Sequence, residues 1–418
     1  MCVSTAQTAD PRPPVRTPPL HMSTDLHCRS CDRTYEASAE EPWRCLCGAP
    51  LDYAERSLPG RNTPPVARSI DRNLGLWAFQ EFLPEPPLVT LKEGFTPLVD
   101  ADGWNAQFKL EYLFPSGSYK DRGATLTLSR AAALGVEKVI EDSSGNAGAA
   151  IATYAARADI EADIYVPADV KQSKLVAIQR AGARPIRVEG SREDVTDACL
   201  TAVESADGER SGGPQQTGTG WYASHAWNPA FYAGTATMAY EIAAQREWSV
   251  PDALVVPLGH GTVLLGAYRG FTALREAGYT DRLPRLLGAQ AVGYDPIASE
   301  LHDDDTGGED VPGSSLTEAL VNSDEPPEPN DLADGIQIRS PAREGQLFEA
   351  IERTNGDAIA LDSDDVESEL DRLHRNGFYV EPTSAVASAA LHEYRDRGVL
   401  SPDADVVVPL TGSGMKTL

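Results

Sequence analysis

The chain has 418 residues, more than a single hydrophobic core usually supports, so two domains with attachments are expected. Its 63 acidic and 36 basic residues leave a formal charge of −27, which argues against nucleic acid or an anionic membrane surface as partner. No apolar run reaches the roughly eighteen residues of a membrane span, and 41% hydrophobic with 7% aromatic residues is a globular composition.

Residues 1–24 are rich in Pro and Thr and lack the basic-then-apolar order of a secretory signal. They read as a disordered leader, and a cytoplasmic location follows by default. In residues 25–53, Cys28 and Cys31 form C-x-x-C, and Cys45 and Cys47 form C-x-C-G. Two thiolate pairs at this spacing can close a tetrahedron around Zn2+, with Gly48 relieving the second turn, so a zinc-ribbon-like segment is expected. A disulfide pair is the alternative, disfavoured in a cytosolic compartment. His27 is a substitute ligand, while Cys2 and Cys199 stand apart. Residues 54–90, dotted with Pro and Arg, read as a linker with short helical pieces.

Residues 91–418 alternate strand and helix. "WNAQFKLEYL" is strand-like, "SYKDRGATLTLSRAAALG" helical, "KVIEDSS" strand-like and "GNAGAAIATYAARA" helical. "ADIYVPAD", "KQSKLVAIQRAGA" and "RPIRVEG" continue the alternation, and after residue 250 "ALVVPLG" and "RLLGAQAVG" are further strands. Strict alternation predicts a parallel α/β architecture, here two α/β layers facing one cleft. Residues 302–334, dense in Asp, Glu, Gly and Pro, read as an acidic insertion.

Chemistry concentrates in three βα turns. Only seven lysines occur, and Lys120 in "PSGSYKDRG" sits where a helix begins. The dipole there favours a neutral amine, a nucleophile towards aldehydes such as pyridoxal phosphate (PLP). The plainer reading is a first-turn lysine paired with Asp121. In "EDSSGNAGAA", Ser143, Ser144 and Gly145 present N–H and hydroxyl donors suited to a substrate carboxylate, and Asn146 adds an amide. In "VVPLGHGTVLLG", Gly259, His260, Gly261 and Thr262 open a helix whose N–H groups suit a phosphate, without a Walker lysine.

Together these segments resemble fold-type II PLP enzymes, specifically the threonine synthase family, from about residue 90 to the C-terminus. "EGFTPLV" is similar to that family's E-G-x-T-P-L segment, "SSGNAG" to its asparagine loop, and "LTGSGMK" to its L-T-G-H-G-L-K ending. The resemblance implies two interleaved α/β subdomains around a PLP cleft. It also implies that Lys120 holds PLP as a Schiff base and then moves protons, with Tyr119 as the aromatic beside it. Asn146 would hydrogen-bond the ring hydroxylate, residues 259–262 would cradle the phosphate, and Thr411 would face the pyridine nitrogen. An amino-acid substrate follows, and a homodimer is compatible with the sequence. The excess of carboxylates, with Arg in place of Lys, is similar to proteins of halophilic archaea.

The family's phosphate-binding segment, N-S-x-N-P-x-R, corresponds here to "SHAWNPAFYAGTAT", where Asn228 and Pro229 remain but Phe231 takes the arginine position. A phenyl ring cannot bind a phosphate. Arg269, Arg339 and Arg343 are available elsewhere, and Phe231→Arg is expected to improve use of O-phosphohomoserine. "LADGI", residues 332–336, instead resembles serine/threonine dehydratases, which leaves a dehydratase or ammonia-lyase as the alternative. Glu381, in the E-P-x-S-A segment, is either an active-site carboxylate or a helix-leading Glu-Pro.

Overall fold

A computed structural model describes residues 23–204, 220–302 and 328–417. Most of the leader and of the acidic insertion therefore lies outside the described residues. Two parallel sheets form the body. The larger has strand order β12-β11-β10-β13-β5-β4, built from β4 (Leu98–Ala101), β5 (Ala106–Lys109), β10 (Ala253–Pro257), β11 (Arg285–Ala291), β12 (Asp357–Leu361) and β13 (Val406–Pro409). All its pairings are parallel except that of β4 with β5. The smaller is fully parallel, in the order β8-β7-β6-β9: β6 (Lys138–Glu141), β7 (Glu161–Pro167), β8 (Arg184–Val188) and β9 (Trp221–Tyr222). Strands buried on both faces need continuous apolar runs, and "ALVVP" and "VVVP" supply them.

The helices follow the predicted alternation. They are α1 (Lys120–Ala133), α2 (Asn146–Ala158), α3 (Gln172–Arg180), α4 (Arg192–Glu204), α5 (Pro229–Gln245), α6 (Thr262–Glu276) and α7 (Pro296–His302), then α8 (Glu344–Arg353), α9 (Ser363–Arg375) and α10 (Pro382–Asp396). Helix α5 is apolar almost all round, with fifteen of its seventeen residues buried, because it lies between α1 and α6. Close crossing depends on glycine. A Cβ on Gly234 would lie 1.9 Å from the Arg122 carbonyl oxygen, and one on Gly266 would lie 2.3 Å from Thr235 Oγ1. Among the described residues no helix is long and apolar enough to cross a membrane.

Three expectations change. The strand expected over 104–113 is confined to Ala106–Lys109, because Trp104 sits in a 3-10 turn and Asn105 adopts φ +46°, which ends strand geometry. The stretch 54–90 is more than a linker. Its 3-10 segment Arg72–Phe82 buries Leu76, Trp77, Phe79 and Phe82 in the same core as α5 and α6. Each such side chain contributes on the order of 2 kcal/mol by leaving water. Likewise the end of the expected acidic loop is packed: Asn330 is fully buried and donates to the carbonyls of Leu361 and Asp362.

A third, antiparallel sheet, β2-β1-β3, comes from β1 (Leu26–His27), β2 (Thr34–Tyr35) and β3 (Asp52–Tyr53) and frames the cysteine cluster. Its last strand carries Asp52, which accepts from Arg269 of α6 and from Arg343 just before α8, and lies 2.8 Å from Arg29 Nε. The cysteine segment is thereby joined to the two helices behind the 259–262 loop.

Candidate active site

The three predicted turns and the C-terminal turn each follow the carboxyl end of a strand or open a helix, and hydrogen bonds join them. Lys120 is the first residue of α1, after Tyr119, which makes no side-chain cap. Lys120 Nζ donates to Tyr119 Oη at 2.5 Å, and Tyr119 Oη bonds Thr262 Oγ1 at 2.7 Å, so the lysine is linked through one hydroxyl to the first residue of α6. The plainer pairing of Lys120 with Asp121 is not what the structure holds. Asp121 instead accepts from Ser116 N, and its burial pushes its pKa up to about 7.

The loop before α6 has the features of an anion cradle. Gly261 adopts φ +77° and provides no side-chain cap, so the first N–H groups of this fifteen-residue helix lack a side-chain acceptor. His260 Nδ1 is buried and has no hydrogen-bond partner. At the head of α2, Gly145 likewise provides no side-chain cap, and Ser143 Oγ accepts only the nearby Gly145 N–H at 3.3 Å. An amine, two uncapped helix starts and an orphaned ring nitrogen are groups that suit PLP and an amino-acid carboxylate.

Thr411 is 2% exposed, and its carbonyl accepts from Tyr119 N–H at 3.0 Å. Its hydroxyl lies 3.2 Å from Ser384 Oγ, which also accepts from Gly412 N–H at 2.9 Å. Ser384 was missed in the sequence, although the E-P-x-S-A segment carries it. Glu381 folds across Gly412 and accepts from Asn146 Nδ2 at 2.8 Å. The residue leading α10 is thus paired with the first residue of α2, and burial raises its pKa.

A second polar pair was not legible. His225 Nδ1 lies 2.7 Å from Glu141 Oε1, and its ring stands edge-on to His260 with centroids 5.3 Å apart. Burial lowers the pKa of His225 to about 3 and raises that of Glu141, each change disfavouring the charged form. Phe231, fully buried, packs between this imidazole and α1: a Cβ on Gly123 would meet its ring at 2.3 Å. The expected gain from Phe231→Arg therefore fails on packing. Arginine there would be enclosed by helix and ring, and should cost on the order of 3 kcal/mol, read as a lowered denaturant midpoint. Nor are the other arginines free. Arg269 and Arg343 engage Asp52 and flank the Tyr232 ring, while Arg339 lies over Tyr294.

The sulfurs of Cys28, Cys31, Cys45 and Cys47 lie within 4.8 Å of one another. The nearest pairs, Cys28 with Cys47 at 3.5 Å and Cys31 with Cys45 at 3.4 Å, are too far apart for disulfides. Four thiolates about 2.3 Å from a central zinc would be spaced in this range. His27 instead faces Asp32 at 3.4 Å, and Cys199 is buried beneath the smaller sheet.

Residues 89–412 match the family described as pyridoxal-phosphate dependent enzyme. The chain is 30% identical to the threonine synthase of Methanocaldococcus jannaschii, over 93% of this chain and 92% of that protein. It is 29% identical to that of Methanosarcina acetivorans, over 82% of this chain and 80% of that protein. Among solved structures, an L-serine ammonia-lyase from Rhizomucor miehei superposes with TM-score 0.59 at 20% identity, covering 76% of this chain and 93% of that one. The chain belongs to the pyridoxal-phosphate dependent enzyme family, and its fold is that of fold type II.

Proposed function

We propose that this pyridoxal-phosphate dependent enzyme is a threonine synthase or close homologue, converting O-phosphohomoserine and water to threonine and phosphate. The observation that carries the cofactor assignment is the bond chain Lys120–Tyr119–Thr262, which ties the amine to the uncapped start of α6. Similarity to threonine synthases along most of the chain supports the reaction.

When bound, PLP supplies an electron sink for carbanion chemistry. The rest falls to the chain. Lys120 Nζ takes and returns the protons at the substrate carbons. The backbone donors of Ser143, Ser144 and Gly145 hold the substrate carboxylate, and those of Gly259, His260, Gly261 and Thr262 hold the cofactor phosphate. Thr411, with Ser384 beside it, presents a neutral hydroxyl to the ring nitrogen. Asn146 donates to the ring oxygen.

The second reading, a serine/threonine dehydratase or ammonia-lyase, is favoured by Phe231, which closes the position where an arginine would meet a substrate phosphate. Incubation with O-phosphohomoserine and, separately, with threonine decides between them. Phosphate and threonine from the first substrate are expected. Only 2-oxo acid from the second would replace the synthase by the dehydratase.

The four-cysteine cluster is proposed to hold one structural zinc. The Cys28→Ser, Cys47→Ser double variant should lose it, measured as metal per chain; full retention would refute the site.

A further inference from the structure

A second lysine reaches the head of α2. Lys416, on the 3-10 turn Gly414–Thr417, lays its stem against Gly117 and donates from Nζ to Asn146 Oδ1 at 2.5 Å. The other end of the same amide donates to Glu381 Oε1 at 2.8 Å, and Lys416 Nζ is 4.0 Å from Glu381 Oε2. An asparagine amide has two hydrogens on nitrogen and an oxygen that only accepts. A cation on one end and a carboxylate on the other leave one orientation: flipping it would set N–H against ammonium and carbonyl against carboxylate. One Nδ2 hydrogen then remains without a partner from this pair.

We propose that Lys416 and Glu381 are positioning residues that lock the Asn146 amide with its free N–H towards the ring oxygen of PLP and set the local charge around the cofactor. This rests on the placing of that oxygen at Asn146 and not on which amino acid is turned over. Segments distant in sequence are recruited for it: the C-terminal turn, the residue leading α10 and the loop opening α2. The charges facing Lys416 are Glu381, Asp121 and Lys120 of α1, and Asp334, which also pairs with Lys174 of α3 at 2.9 Å. The cofactor nitrogen that carries a proton in the lysine-bound form should feel both partners. Removing the ammonium favours that proton, and removing the carboxylate opposes it.

The test uses PLP titrated into the full-length protein and its variants, reading cofactor absorbance against pH and the PLP dissociation constant. Lys416→Met, which keeps the stem, should raise the pH midpoint of the absorbance change by about half a unit or more and weaken PLP about tenfold. Glu381→Gln should move the midpoint the opposite way, and Lys416→Arg should restore it. Far-UV circular dichroism checks that each variant is folded, and the opposite sign of the Glu381 shift gives a second reading if Lys416→Met is not. Shifts of the same sign, or none, overturn the proposal. Asn146→Ala separates the causes. A midpoint it moves while Lys416→Met and Glu381→Gln do not refutes the lock alone, and a midpoint unmoved by all three refutes the placing of the ring oxygen as well.

Discussion

Lys120→Ala is expected to abolish the covalent cofactor adduct and to lower turnover by about a thousandfold or more, since both the anchoring amine and the proton carrier disappear. The structure makes this a sharper test than the sequence alone, because Lys416 offers a rival amine beside Asn146. The two differ in setting. Lys120 is fixed as the first residue of a fourteen-residue helix and is linked through Tyr119 to the α6 loop. Lys416 sits on a four-residue turn and is engaged by Asn146 and Glu381. Borohydride reduction of the PLP-loaded protein followed by peptide mapping should place the label on Lys120. A label on Lys416 would reverse the roles of the two residues.

The parts of the site readable in the sequence were those in which one contiguous stretch carries the whole physical logic. "GHGTVLLG" holds its strand end, its turn glycine and its helix start within a few residues, so an anion cradle could be expected at Gly259–Thr262. "SSGN" and "SGSYKDRG" are of the same kind, as is the parallel alternation of the fold. What escaped were pairs made across sequence distance. Glu141 and His225 lie on different segments, as do Asn146 and Lys416, and neither pair has a spacing or period that marks it. The sequence places a phenyl group, Phe231, where the resembling family carries an arginine. That it fills the contact of α1 and α5 depends on Gly123, which only the helix crossing reveals. The 72–82 stretch misleads for another reason: its Pro- and Arg-rich surroundings mask four apolar side chains that belong to the main core.

Asp52→Ala is expected to produce the second large effect. Because the four-cysteine segment lies outside the cofactor motifs, the sequence suggests that it is separable from catalysis. The structure argues otherwise. The Asp52 carboxylate is the shared partner of Arg29, Arg269 and Arg343, and Arg343 is 1% exposed, also donating to the carbonyls of Leu51 and Trp227. Deleting the one anion leaves a buried guanidinium without its counter-charge, a loss of about 3–5 kcal/mol. Directly beyond Arg343, α8 begins, and its Leu347 is the side chain a Cβ on Gly261 would strike at 2.2 Å. A loosened Arg343 therefore bears on the loop proposed to hold the cofactor phosphate. Weakened PLP binding should accompany the lowered denaturant midpoint. The arginines hold the Asp52 carboxyl below the usual carboxylate range despite its burial. A depressed native value means that its stabilisation is present above the unfolded carboxylate pKa, about 4, and is lost as pH falls below it. The variant should accordingly show a shallower loss of stability on acidification than the parent. Equal midpoints and equal PLP affinity in parent and Asp52→Ala would mean that the cysteine segment is an independent attachment after all.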